Sequence, residues 1–148
     1  MYKHILVATD GTKLSAKAIR TAAALAGALG ARITGTYVIA PYSPPAYGEG
    51  VVYSPALSPK RYKELTEREA RKALAAVASA ARGAGASYGE AMITSRTPWE
   101  GILQAAKAKR CDLIVMSSHG RRGLSALLLG SETAKVLTHS KIPVLVCR

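Results

Sequence analysis

CDLIVMSSHGRRGLSALLLGSETAKVLTHSKIPVLVCR, residues 111–148, decides the architecture of this chain. Leu113-Ile114-Val115-Met116 is a short unbroken apolar run with the β-branched content of a strand buried on both faces. It stops at once at Ser117-Ser118-His119-Gly120. Gly130-Ser131 then opens a segment with helical spacing at Thr133, Val136 and Leu137, which Lys141-Ile142-Pro143 breaks. Val144-Leu145-Val146 makes a second buried strand. The order is strand, polar glycine-bearing loop, helix, strand. In open parallel sheets, ligands sit at that carboxyl edge.

Working outward, the rest of the chain repeats the alternation. Ile5-Leu6-Val7-Ala8 is a buried strand ending at Thr9-Asp10-Gly11-Thr12. Asp10 is equally suited to cap the following helix and to accept a ligand hydroxyl or hold a metal. A helix over Leu14–Leu29 turns Ala18, Ala22, Leu25 and Leu29 to one face and stops at Gly30. Ile33–Ile39 is a strand with poor alternation at Thr34 and Thr36. Residues 40–58 carry Pro41, Pro44, Pro45 and Pro55 with Tyr42, Tyr47 and Tyr53, and predict a partly ordered lid or contact surface.

Ser58-Pro59 pairs a helix N-cap with proline at the first helical position. Ala70, Ala73, Leu74, Val77, Ala80 and Ala81 then form a small-residue stripe suited to close packing on a sheet. Gly83 and Gly85 end this helix, and Ser87–Thr94 is the next strand. Thr97-Pro98-Trp99-Glu100 predicts a capping box that starts a further helix, with Ile102, Leu103 and Ala106 inward and Trp99 as a packing residue. Five strands alternating with four main helices predict one α/β domain, 1–148, with a parallel sheet covered on both faces.

With 148 residues the chain is long enough to bury a real core. Its longest apolar run, Thr21–Ala31, is too short to span a bilayer, and MYKHILVATDG does not have the form of a signal peptide. Together these predict a cytoplasmic protein without membrane contact. Cys111 and Cys147 fall at opposite ends of two parallel strands, too far apart to bridge. A net charge of +12 favours anionic partners. Acids interrupt the clusters at 60–63 and 68–72, which marks them as solvated faces, while Lys107, Lys109 and Arg110 suit a helix C-terminus. Only Arg121-Arg122 lies inside a motif.

Residues 117–131 fit neither a Walker P-loop, a GxGxxG fingerprint nor a GxSxG elbow. A triad of Ser117 or Ser118, His119 and Asp112 fails because Asp112 would sit at the far end of the strand. His4, His119 and His139 lie on separate elements, so metal-ligand spacing is missing. Anion binding by backbone remains. Gly120 and Gly123 let the loop's N–H groups approach a ligand, Gly130-Ser131 sets amides and a hydroxyl at a helix N-terminus, and Arg121 and Arg122 add charge.

These residues resemble the universal stress protein family, whose nucleotide-binding members carry G-x2-G-x9-G-[S/T] after the fourth strand. The corresponding run is Ser117-x2-Gly120-x9-Gly130-Ser131, and the flanking DLIVM, SHGRRG, LLLGS and IPVLV segments are also typical. The resemblance implies a Rossmann-like, open five-stranded parallel sheet of order 3-2-1-4-5 and a homodimer built through Pro143–Cys147. It implies ATP, with or without Mg, at the carboxyl edge. Val38 would meet adenine through its backbone, and Ala8, Thr9 and Asp10 would line the adenosine side. Ser117, Ser118, His119, Gly120, Arg121, Arg122 and Gly123, with Gly130, Ser131, Glu132 and Thr133, would hold ribose and phosphates. Ser117 departs from the first motif glycine, and it fits unless the backbone there needs φ > 0 or the ligand touches the α-carbon. Three function classes compete: a nucleotide-binding regulator with slow or absent hydrolysis, a nucleotide-free dimeric interaction protein, and a nucleic-acid binder. The third is weakest, because no basic stripe interleaved with aromatics appears beyond Lys60-Arg61-Tyr62-Lys63.

Overall fold

The computed structural model describes residues 1–44, 58–119 and 129–148. In chain order these form β1 (His4–Ala8), α1 (Ser15–Leu29), β2 (Arg32–Ile39), α2 (Pro59–Gly83), β3 (Tyr88–Thr94), α3 (Pro98–Ala108), β4 (Leu113–Ser117), α4 (Ser131–His139) and β5 (Val144–Cys147). The five strands make one parallel sheet of order β3-β2-β1-β4-β5. The order reverses between β1 and β4, so a crevice opens at their carboxyl ends.

The two-residue period of the central strands sends alternate side chains to opposite layers. Ile5 and Val7 of β1, with Leu113 and Val115 of β4, pack against Ala18, Ala22 and Ala26 of α1 and Val77 and Ala81 of α2. Leu6 and Ala8, with Ile114 and Met116, pack against Ile102, Ala105 and Ala106 of α3 and Val136 of α4. Thr34 and Thr36, which spoil the alternation of β2, are fully buried. Their hydroxyls are engaged by His4 Nε2 at 2.8 Å and by the Ala91 carbonyl at 3.0 Å. Buried polar groups that find partners cost little.

Several local expectations hold. Ser58 Oγ accepts the Arg61 amide at 3.2 Å as the N-cap of α2, and Gly30 closes α1 at φ 64°. The basic cluster of α2 is laced with exposed pairs, Arg61–Glu64, Lys63–Glu67 and Arg71–Glu67, each worth little in water. Other expectations are corrected. Asp10 does not cap α1; its Oδ1 accepts the Thr12 amide at 3.0 Å and the Thr12 hydroxyl at 2.7 Å in a local turn before the helix begins. Thr97 makes no cap to the α3 backbone, because its hydroxyl donates to Glu100 Oε2 at 2.6 Å instead. β5 is buried only at Cys147, since it is an edge strand with one neighbour. Leu145 there is 37% exposed, and Leu137 of α4 is 43% exposed. Residues 45–57 of the expected lid lie outside the described residues. Before them, Tyr62 of α2 donates to the Ala40 carbonyl at 2.7 Å, and its ring lies 5.5 Å from Tyr42.

At the sheet's amino edge, Asp112 accepts the amides of Lys3 and His4 at 2.8 and 2.9 Å. Burial raises its pKa, but these hydrogen bonds outweigh that and hold the carboxyl below its usual range. Cys111 beside it is a buried free thiol pushed up to about 11, first by burial and then by the Asp112 charge. Cys147 pairs in register with Ser117 at the opposite edge. His4 is held below its ordinary 6.5 by burial and then by Arg32, with Asp112 opposing and Lys109 also near. The unfolded chain therefore takes up the His4 proton first as pH falls, so the stability His4 contributes is present above pH 6.5 and lost below it. Urea unfolding of wild type and His4→Gln at several pH values between 5 and 7.5 should show a shallower loss for the variant. Parallel curves would exclude His4 as the source.

Candidate nucleotide site

β1 delivers Thr9 and Asp10 to the crevice. The Thr9 amide still pairs with the Thr36 carbonyl at 3.0 Å, so strand geometry persists to the turn. Gly11 then reverses the chain at φ +78°, where a side chain would be strained. Thr9 Oγ1 lies 3.0 Å from Ser15 Oγ and accepts the Gly11 amide at 3.2 Å, while Ser15 Oγ donates to the Thr12 carbonyl at 2.7 Å. Ser15, unremarked in the sequence, is 2% exposed and anchors this turn. A cleft of about 360 Å³ opens behind it between α1 and α2, with Lys72 and Glu69 among its lining residues. The buried hydroxyls on its floor are already satisfied by one another.

The other candidate residues stand apart from this cleft, at the junction of β4 and α4. Ser118 pairs with the Cys147 carbonyl through its amide at 2.8 Å, and its own carbonyl accepts the Gly130 amide at 2.8 Å. Thr133 Oγ1, buried, donates toward the Ser117 and Ser118 carbonyls at 3.1 and 3.3 Å. The first turn of α4 is thus fastened to the end of β4, with Ser131 exposed at its start. Its leading amides have no acceptor within the helix, and the positive end of the dipole lies there. Gly130 is needed for a reason other than dihedral freedom. Its φ and ψ are −58° and 143°, but a β-carbon would lie 2.9 Å from the Ser118 carbonyl oxygen.

Ser117 is the last residue of β4, in extended backbone with no positive φ; among the described residues only Arg110 combines a side chain with positive φ. Its hydroxyl donates to the His119 carbonyl at 2.6 Å. His119 Nδ1 lies 3.0 Å from Ser118 Oγ, and Asp112 sits at the far end of the strand, as the argument against a catalytic triad required. Gly120, Arg121, Arg122 and Gly123 lie outside the described residues.

Ala8, Thr9 and Asp10 end β1, Val38 is near the end of β2, and Ser117–His119 end β4, so all stand on the carboxyl edge with Gly130, Ser131 and Thr133. Val38 is half-buried against α3. A β-carbon on Gly101 would meet both of its methyl carbons at 2.7 Å, so the helix approaches β2 too closely for any larger residue. A glycine inside a helical pattern was the available signal for that contact. Glu132 is turned to α3: Oε2 accepts the Trp99 amide at 3.0 Å, and Oε1 meets Lys135 Nζ at 3.2 Å. Trp99 packs as expected, with its ring stacked on His139 at 4.7 Å and 28°.

The profile of the universal stress protein family matches residues 1–148. The universal stress protein in the QAH/OAS sulfhydrylase 3′ region of Thermus aquaticus is 36% identical over 149 residues, covering 100% of both chains. The solved structure of MJ0577 of Methanocaldococcus jannaschii is 27% identical, with a TM-score of 0.79 over 99% of this chain and 95% of its own. Two more distant structures share the fold and were solved with nucleotides. One is a universal stress protein in complex with cAMP (23% identical, TM-score 0.71, 99% and 97% covered). The other is that of Archaeoglobus fulgidus in complex with dAMP (21%, TM-score 0.71, 99% and 98%). On the full-length match and the 36% identity of a relative of equal extent, the chain belongs to the universal stress protein family.

Proposed function

We propose that the protein binds ATP at the carboxyl edge of its sheet and acts as a regulatory nucleotide-binding protein with slow or absent hydrolysis. The observation that carries this reading is the junction of β4 and α4. There Gly130 packs onto the Ser118 carbonyl and leaves the leading amides of α4 on the same carboxyl edge of the sheet as the β1 turn. Thr9 and Asp10 would face the adenosine side with Ala8, and the Val38 backbone would meet adenine. Residues 117–123 with Gly130, Ser131 and Thr133 would take ribose and phosphates, while the Glu132 carboxylate, turned to α3, would not touch them. The triphosphate supplies the negative charge that a helix N-terminus and a basic chain attract. The cAMP and dAMP complexes of fold relatives support the ligand class. The reading includes a homodimer through β5, whose exposed Leu145 and half-exposed valines suit a partner strand.

Ser117 is where this can be tested. Since its backbone is extended, serine imposes no strain there, and its hydroxyl pins the start of the loop. Denaturing the purified protein should release adenine nucleotide. In calorimetric titration of nucleotide-free protein, Ser117→Gly should bind ATP within about tenfold of wild type, the effect of about one neutral hydrogen bond. Wild type that takes up no ATP, with binding created by the glycine, would transfer the protein to the nucleotide-free interaction class. If neither binds, the site assignment falls.

A further inference from the structure

We propose that Glu132 is a positioning residue that sets the separation between the adenine end and the phosphate end of the nucleotide site, by clamping α3 to α4. This rests on the nucleotide reading above.

The amino end of α3 lacks local capping. Pro98 has no N–H, and the Thr97 hydroxyl is spent on Glu100, so the Trp99 amide is left without an acceptor from its own segment. The acceptor comes from 33 residues away, as Glu132 Oε2 at 3.0 Å. A carboxylate at the positive end of a helix is a charge-assisted cap, stronger than the hydroxyl it replaces. Lys135 Nζ meets the other oxygen at 3.2 Å. Further along, the Trp99 ring stacks on His139, which joins the same two helices a second time.

What this clamp connects gives it a role in binding. Glu132 directly follows Ser131, which opens α4 and belongs to the proposed phosphate cradle. On the α3 side, two residues past Trp99, Gly101 lies so close to Val38 that even one added carbon would collide with both methyls. Ser131, Glu132, Trp99, Gly101 and Val38 therefore form an unbroken chain of covalent and packed contacts between the two ends of the site. Packed contacts of this closeness pass displacement on instead of absorbing it. A ligand that occupies both ends must match the separation this chain holds, whereas a ligand that occupies one end need not.

Calorimetry with ATP, adenosine and tripolyphosphate on wild type, Glu132→Gln and Glu132→Ala tests this. Glu132→Ala should weaken ATP by on the order of tenfold, about one charge-assisted hydrogen bond, while adenosine and tripolyphosphate change little. Glu132→Gln, which keeps an acceptor oxygen, should recover part of the loss. Amide hydrogen exchange without ligand should show Trp99 exchanging faster in Glu132→Ala. Equal weakening of all three ligands, or unchanged ATP affinity, would overturn the positioning role while leaving the nucleotide reading intact. Unchanged Trp99 exchange would overturn the clamp itself. Wild type that binds none of the three ligands would remove both.

Discussion

Gly130→Ala should abolish ATP binding and lower stability by about 1–3 kcal/mol, the usual cost of forcing extra carbon into a packed site. Alanine is compatible with the dihedrals at this position, so the penalty is one of space. The added carbon would lie 2.9 Å from the Ser118 carbonyl oxygen and 3.5 Å from the His119 α-carbon, both backbone atoms that no side-chain rotation can move aside. To make room, α4 must lift from β4. That breaks the hydrogen bond from the Gly130 amide to the Ser118 carbonyl and those from the Thr133 hydroxyl, which fasten the helix start. Gly130→Asp adds a negative charge where phosphates would approach and should be worse on both counts. From sequence alone, Gly130→Asp is expected to spare the fold; the nearness of Ser118 removes that expectation. Thermal unfolding with calorimetric titration reads both effects. An alanine variant that melts like wild type and still binds ATP would show that the junction is not the cradle.

Leu145→Lys should convert the proposed dimer to monomers of 15.5 kDa or to insoluble protein. β5 is an edge strand, so one side of its backbone is unpaired, and the Val144, Leu145 and Val146 side chains are only partly covered. An edge of this kind left open invites uncontrolled pairing. A two-fold partner would cover it with a copy of the same strand. In such a pairing a lysine at 145 would bring two like charges, one from each copy, into the same contact. Sedimentation analysis of wild type and variant decides the matter. An unaltered dimer would place the interface on another surface, and a monomeric wild type would remove the dimer.

Much of the fold was legible because its determinants are local or periodic. Leu113–Met116 and Ile5–Ala8 are unbroken apolar runs, which central parallel strands require, and the cap of α2 is written in adjacent residues. The carboxyl-edge position of Thr9, Asp10 and Ser117 followed from strand direction alone. The illegible parts depend on who meets whom across long separations. Nothing near Glu132 announces that its carboxylate serves a helix beginning 34 residues earlier. Thr97 and Glu100 match the capping pattern, yet the hydroxyl chooses the carboxylate over the backbone. The apolar content of Val144–Val146 reads as burial on both faces, but an edge strand has a neighbour on one side only. Gly101 carried a signal, a glycine in mid-helix, whose meaning needed Val38 in place.

The thiols bear on how a protein of this family could sense its surroundings. With its pKa at about 11, Cys111 is thiolate to only on the order of one part in ten thousand at neutral pH, and the thiolate is the form that oxidants attack. It is also buried, and Cys147 at the other edge of the sheet cannot reach it as a resolving partner. Attack on Cys111 by peroxide or a disulfide is therefore disfavoured.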